Sequence, residues 1–371
     1  FSLLLFNMDN LLVILIKRIV YIFFFTLILL FIFSKNLFSN ENNFLVKDLE
    51  ISEEFNLDFS KDKVIEKGFE KAFDELLFKI LISKDIEKVQ NVNLNEVKQL
   101  VENFKIKDEK FKENKYFATF DVVFNKKNTF KFLEDNNLFI SIPSYIDVVF
   151  FPVFIENEKL NIFNKNPFYS NWTDGFNQNY LIKYILPLED IEDLFKFIKT
   201  TNDLEKYDMS VVSKKYNLEN YILCLIYKDK NNLNIYSKTK FKNKKKNSNF
   251  IIDNVDLENP EMLKLYIDIL KIHYDDIWKK NNEINTSIKL SLDVVLPNNK
   301  FEEIERFEKI LKKIDLINSF SITRFNLKEN IYKLIYHGNP ESLIEKISEH
   351  NISLFYDEQR WIVKWVKQNS Y

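Results

Sequence analysis

One cysteine, three glycines and three histidines in 371 residues remove several classes of chemistry at once. A single cysteine, Cys224, cannot close an intramolecular disulfide. Gly68, Gly175 and Gly338 stand isolated, which excludes a glycine-rich phosphate loop and the glycine pair of a nucleophile elbow. His273, His337 and His350 lack metal-ligand spacing, and neither a paired-histidine helix nor a calcium loop can be written on this chain. No stoichiometric transition metal and no cofactor is expected. A net charge of −2 gives no push toward nucleic acid. Three glycines beside 37 phenylalanines, with Lys, Asn and Ile throughout, mark AT-rich codon usage. Lysine and asparagine runs carry correspondingly less meaning.

What the chain does have is one apolar run, residues 19–33, reading IVYIFFFTLILLFIF. Lys17 and Arg18 precede it and Ser34, Lys35 and Asn36 follow. A bilayer span needs about 20 apolar residues, whereas the core of a secretory signal runs about 7–15. The preceding cations stay cytoplasmic, so everything beyond residue 40 is expected to be exported to a periplasmic compartment. Ser39 is a usable cleavage residue, but Leu37 fits poorly two places before it. With residues 11–16 added, the region 11–33 serves equally as a retained anchor. Met8 is the natural start, and no cysteine stands directly after the run to carry a lipid.

The remainder reads as α+β in three segments after the signal or anchor at 1–43. In the first, 44–137, an opening strand precedes a helix at 61–82 with Ser60 as its N-cap. Leu94, Val97, Leu100, Val101 and Phe104 then fall on one helical stripe, and Tyr116 to Phe124 alternate as a strand. In the middle segment, 138–282, strands at 146–155 and 159–163 form a hairpin through Glu156, Asn157 and Glu158. Helices are expected at 188–199 and 209–216, and strands at 221–227, 233–241 and 250–255. Asn259-Pro260 opens a long helix with Leu263, Tyr266, Ile267, Leu270, Tyr274 and Ile277 as its apolar stripe. In the last segment, 286–367, the order βαββαβ plus one hairpin strand points to a ferredoxin-like sandwich on an antiparallel sheet. Leu292, on a strand with a single apolar face, should look toward the two helices.

Few residue groups invite a chemical reading. Asp190 and Asp193 could share a cation, but acids in a helix's first turn are favoured by its dipole. Asp275 and Asp276 are adjacent on a helix and point apart. Lys238, Lys240, Lys242, Lys244, Lys245 and Lys246 form the only local charge block, which would suit either a solvated hairpin loop or contact with anionic lipid headgroups. Cys224, inside YILCLIY, reads as a small core residue. Trp361 and Trp365 share one side of the last strand with Val363 between them, placed for core packing or for an exposed aromatic ledge.

Two stretches, SVVSKKYNLENYILCLIY and IYKLIYHGNPESLIEKISEHNISLFYDEQRWIV, resemble an uncharacterised proteobacterial envelope family, a domain of unknown function. The likeness extends over residues 44–367. Asn217, Leu218 and Asn220 depart from it, standing where that family carries small and acidic residues. The middle segment is also similar to the α/β amino-terminal domain of the Tol-system propeller protein. The resemblance implies an envelope location and an α+β architecture, and brings no activity with it. The expectation is therefore an exported, non-enzymatic binding or structural module. Its partners would be other envelope components, and its membrane contact would run through the amino-terminal segment. The alternative is a periplasmic enzyme whose acidic residues meet only in the fold.

Overall fold

The computed structural model describes residues 43–174, 180–189, 204–297, 300–326 and 328–366. The apolar run at 19–33 and the expected helix with Asp190 and Asp193 lie outside them. Among the described residues no helix is long and apolar enough to cross a membrane. The mixed α+β class is plain from the element order.

Strand β1 (Leu45–Glu54) leads into helix α1 (Lys61–Ile80), a short helix α2 (Ser83–Ile86) and helix α3 (Leu94–Leu100). Strands β2 (Val101–Lys112) and β3 (Lys115–Phe124) complete a three-stranded sheet in the order β1-β3-β2. Helix α1 buries Val64, Phe69, Ala72, Phe73, Leu76 and Leu77, which recur at helical spacing. Ser60 takes the extended N-cap backbone, yet its side chain makes no cap hydrogen bond. The helix expected to run through Phe104 stops at Leu100. Asn93 and Glu96 cap α3 reciprocally, and from Val101 the chain pairs with β3 instead. The alternation Phe104-Lys105-Ile106 favours that exchange, because ladder bonds to β3 replace helical ones and Phe104 packs on Phe69.

Helix α4 (Lys126–Asp135) and strand β4 (Ile140–Ser141) connect to a six-stranded middle sheet. It holds β5 (Ile146–Glu156), β6 (Lys159–Asn161), β7 (Ile182–Ile185), β8 (Tyr221–Asp229), β9 (Asn232–Phe241) and β10 (Lys244–Ile252). The order is β10-β9-β8-β5-β6, with β7 also on β5. The β5–β8 and β5–β7 pairs are parallel. β5 is apolar nearly throughout because both of its faces are covered. Two short helices, α5 (Pro167–Ser170) and α6 (Ser210–Lys215), belong to this part of the chain. The long helix α7 (Pro260–Asn281) covers one sheet face, and α6 with Phe163 and Met209 covers the other. The β5–β6 turn has positive φ at Asn157 and Glu158, the two-residue geometry that glycine usually fills.

After β11 (Glu283–Ile284), which pairs with β4, come β12 (Leu290–Pro297), α8 (Phe301–Lys313), β13 (Ile317–Phe325), β14 (Glu329–Tyr336), α9 (Pro340–Ser348), β15 (Ile352–Asp357) and β16 (Arg360–Trp365). The sheet order is β13-β14-β12-β16-β15. The expected all-antiparallel sheet is corrected at one pair. The last strand, β16, slots between β12 and β15 and runs parallel to β12. The single apolar face expected for β12 is corrected too. Leu292 faces the helices but is only half-buried, while Val294, Val295 and Leu296 are all buried. Val295 points away from the helices; its register neighbours on the flanking strands are Ile331 and Ile362.

The core boundaries fall at about 142 and 284: the middle segment packs in cores of its own, whereas the first and last segments share one. Residues 43–371 cluster as one compact unit. The apolar side chains of residues 44–142 and 284–363 form one continuous core, in which Phe120 and Leu133 join Phe307 and Leu334. Polar ties follow the same seam. Asn43 donates to Asp315 at 2.5 Å, and Lys126 Nζ lies 3.5 Å from the same carboxylate.

Candidate functional site

Three successive residues of α7, His273, Tyr274 and Asp275, are shifted by burial, and such groups are candidates for chemistry. Asp268, Lys271, Asp275 and Lys279, spaced 3, 4 and 4 residues apart, form a charged stripe beside the apolar one, and all four are buried. Asp275 and Lys279 pair at 2.8 Å, with both side chains 1% exposed. The backbone N–H of Leu181 donates to Asp275 at 2.8 Å, and Lys279 donates to the Phe78 carbonyl while lying over the Phe78 ring. Burial raises the Asp275 carboxyl above its ordinary range, opposed by Lys279. Tyr180 donates to Asp268 at 3.1 Å, and burial followed by that carboxylate raises its hydroxyl. Ser237 and Tyr274 hydroxyls meet at 2.7 Å beneath the sheet. Burial pushes the neighbouring Cys224 thiol up to about 12, so it stays protonated and acts as a core residue. The paired groups on this stripe join α7 to the end of α1 and to the chain entering β7. Water does not reach the Asp275–Lys279 pair, and it reads as a structural clamp.

Asp276 belongs to the same clamp from the other side. It accepts from the Ser83 backbone at 2.9 Å and from the Ser83 hydroxyl, while Asp275 turns to Lys279, so the adjacent acids do point apart. The histidines are dispersed. Burial lowers the pKa of all three, with Lys246 adding to the effect at His273. Among the described residues no group of three His, Cys, Asp or Glu side chains could hold a metal ion. One hollow is lined by two carboxylates, Glu283 and Glu345. Its volume is only about 90 Å³, and the two acids are paired with Lys280 and Lys242.

The lysine block becomes strand rather than loop. β9 and β10 pair from Phe241 and Lys244 outward, which puts Lys238, Lys240 and Lys245 on one face of the ribbon and Lys244 and Lys246 on the other. Lys238 donates to the Tyr207 carbonyl at 3.3 Å and Lys244 to that of Asn281 at 3.2 Å. Lys240 faces Glu219 at 3.9 Å, and Lys242 pairs with Glu345 at 2.6 Å. The six lysines therefore do not share a face. Trp361 and Trp365 pack half-buried against the large core, Trp365 beneath the Arg306 guanidinium.

The sequence reading missed the surface that stands out most. Beyond β1, Phe55 and Leu57 are 52% and 106% exposed, and Phe111 near the end of β2 is 58% exposed. Phe55 lies 4.9 Å from both Phe59 and Phe111, ring centre to ring centre, and Phe111 lies 5.0 Å from Tyr116. The cluster is held firmly. Phe55 N–H donates to the Asn114 carbonyl at 2.8 Å, tying the β2–β3 turn to the loop. Asp58 N–H donates to the Asn56 side chain at 3.0 Å, and the Phe59 N–H to its carbonyl at 3.1 Å. Beneath the rings, Lys61 and Tyr116 both hold Glu109. A hollow of about 330 Å³ opens between Phe55, Phe111 and the turn residues Lys112–Lys115. The signal in sequence was the period-two run Phe55, Leu57, Phe59, short enough to pass for the end of a strand.

No protein-family model matches the chain, and no curated protein is significantly similar to it. The site is therefore read on its own geometry.

Proposed function

We propose that the chain is an exported, non-enzymatic binding module of a Gram-negative-type cell envelope, acting through the aromatic tip on another envelope protein. The observation that carries this reading is the tip itself. Large apolar side chains cost free energy in water, and here they are clustered and fixed by hydrogen bonds rather than scattered. Aromatic anchors held in one geometry are the residues on which binding energy concentrates. The enzymatic alternative draws less support, because the paired acids and tyrosines of the α7 stripe are engaged in structural contacts. The export part rests on Lys17 and Arg18 preceding the apolar run. The closing segment, with helices over one face and β16 inserted, is read as a variant of the ferredoxin-like sandwich.

Two tests separate the parts of this reading. A reporter active only in the cytoplasm, fused after Tyr371, is expected to stay silent; strong activity would overturn export. The Phe55→Ser/Leu57→Ser/Phe111→Ser variant, purified from membranes beside wild type, is expected to lose its co-purifying partner at least tenfold. Because the ring contacts of Phe55 and Phe111 with Phe59 and Tyr116 are lost too, its unfolding midpoint should fall modestly while unfolding stays cooperative with the wild-type slope. Undiminished recovery of the partner would remove the tip from the interface.

A further inference from the structure

An edge strand offers main-chain N–H and C=O groups to any chain that can pair with it, and charged side chains are a common guard. Seven of the twelve residues of β2 are charged, and β10 opens on Lys244, Lys245 and Lys246. β13 has no such guard. In its sequence INSFSITRF, Arg324 is the sole charge among nine residues. Among the described residues it pairs with β14 on one side and with no strand on the other. The strand is also symmetric about Ser321. Its ladder with β14 is regular from Ser319 to Ile322 and slips on both sides, between Ile317 and Ser319 and between Ile322 and Arg324. Ile317, Phe320, Ile322 and Phe325 therefore stand opposite alternate residues of β14 and share the helix-facing side. Large apolar residues thus lie one and four places to either side of Ser321. Ile322 and Phe325 are 41% and 65% exposed.

We propose that β13 pairs antiparallel with β13 of a second copy of this chain, about a two-fold axis through Ser321, joining the two sheets into one. Such an interface must be self-complementary, and this strand is. Phe320 meets Ile322 of the other copy and Ile317 meets its Phe325. The irregular steps of the two strands fall opposite each other, and Arg324 meets Asn318 and Ser319 rather than its own like. The main chain agrees. His337 N–H donates to the Leu316 carbonyl and Asn326 N–H to that of Glu329, so Leu316 and Asn326 face β14. By the alternation of an antiparallel ladder, Ile317, Phe320, Ile322 and Phe325 then turn their N–H and C=O groups to the open edge. The Ile317 carbonyl does so, reaching Lys126 rather than β14. These are the residues that the two-fold sets against one another. Moving the axis to Phe320 or to Ile322 would oppose Ile322 to Asn318 or Phe320 to Arg324. The ends fit too. A hollow of about 590 Å³ borders Ile317, Asn318, Ser319 and Phe320, and the exposed Phe325 ring of the second copy is the group that reaches this end.

The test uses the full chain, in membranes for cross-linking and in mild detergent for sedimentation. Residues directly opposite in a pair of this kind have Cα atoms about 4.5 Å apart, within disulfide reach. On mild oxidation Ser321→Cys is expected to give a covalent dimer. Ser291→Cys, exposed on β12 of the same sheet, should stay monomeric, and the native Cys224 is buried. Ser321→Lys and Ser321→Glu each set like charges across the axis, so each should weaken self-association at least tenfold. Mixed together, the two variants should associate again, which misfolded chains would not do. A wild-type chain that stays monomeric at every concentration, a Ser321→Cys yield no higher than that of Ser291→Cys, or mixed variants that do not associate would each overturn the assignment. β13 shares no residue with the aromatic tip, so either reading can fail alone.

Discussion

Replacing Lys279 with methionine is expected to cost about 3–5 kcal/mol, among the largest effects of any single substitution outside the apolar core. The lysine and Asp275 are both 1% exposed, so removing the ammonium leaves a carboxylate stranded in a low-dielectric interior. The Asp275→Asn/Lys279→Met double variant should recover much of that loss. Its amide oxygen still accepts from Leu181, and no unpaired charge remains. Acid gives a second readout. The native Asp275 carboxyl already binds its proton more readily than an exposed aspartate, because burial outweighs the opposing lysine. Without Lys279 that shift grows. A raised carboxyl pKa means the folded state takes up the proton first, so the single variant should regain stability as the pH falls through that folded pKa. Urea unfolding at neutral and at mildly acidic pH measures both effects. A single variant as stable as wild type, or a double variant less stable than the single, would show that the pair does not bear on folding.

Phe150→Ala should cost a comparable amount, about 3–5 kcal/mol. The ring is fully buried in the α7-side core. It stacks on Trp172 at 3.9 Å between centres and meets Tyr184 edge-on at 5.5 Å. Truncation opens a cavity that two aromatic neighbours and a sheet strand cannot close without leaving their rotamers. The loss also removes aromatic pairing worth about 0.5–1.5 kcal/mol per pair. Phe301→Ala is the control. That ring, at the start of α8, is 76% exposed, and its removal should move stability by no more than about 0.5 kcal/mol. Denaturant midpoints at constant slope decide the matter, and a Phe150→Ala loss below 1 kcal/mol would mean the ring is not packed as described.

Periodicity made most elements readable, and its limits explain the rest. The stripe of α1, the alternation of β3 and the Asn259-Pro260 start of α7 each carry a local signal strong enough to survive tertiary context. The exchange of helix for strand at Val101 was not readable, because the same apolar residues satisfy both periods and only the presence of β3 decides between them. The first part of β10, read as a loop before the strand expected at 250–255, was hidden behind lysines, since an edge strand tolerates charge on both faces. The α7 stripe of Asp268, Lys271, Asp275 and Lys279 looks in sequence like a solvated helix face. Its partners at Phe78 and Leu181 are about a hundred to two hundred residues away along the chain and cannot be inferred from spacing. The aromatic tip was missed for the opposite reason. Phe55, Leu57 and Phe111 look like core until the fold leaves them outside.

The seam joining residues 44–142 to 284–363 also sets the order in which the chain can become itself. Asn43 and Asp315 are 272 positions apart, and Phe120 reaches the residues that complete its core only after most of the chain has been made. At about 5–20 residues per second, the stretch of roughly 140 residues between Ile142 and Ile284 alone represents about seven to thirty seconds of synthesis. Throughout that interval β1, α1 and β3 present an apolar face with no lid. Loop closure over such a distance is slow relative to local pairing, so the amino-terminal layer waits as an unfinished half. The middle sheet, whose partners lie within one continuous stretch, has no such wait. A chain stopped short of β14 is therefore expected to leave the apolar face of β1, α1 and β3 uncovered and open to aggregation through that side.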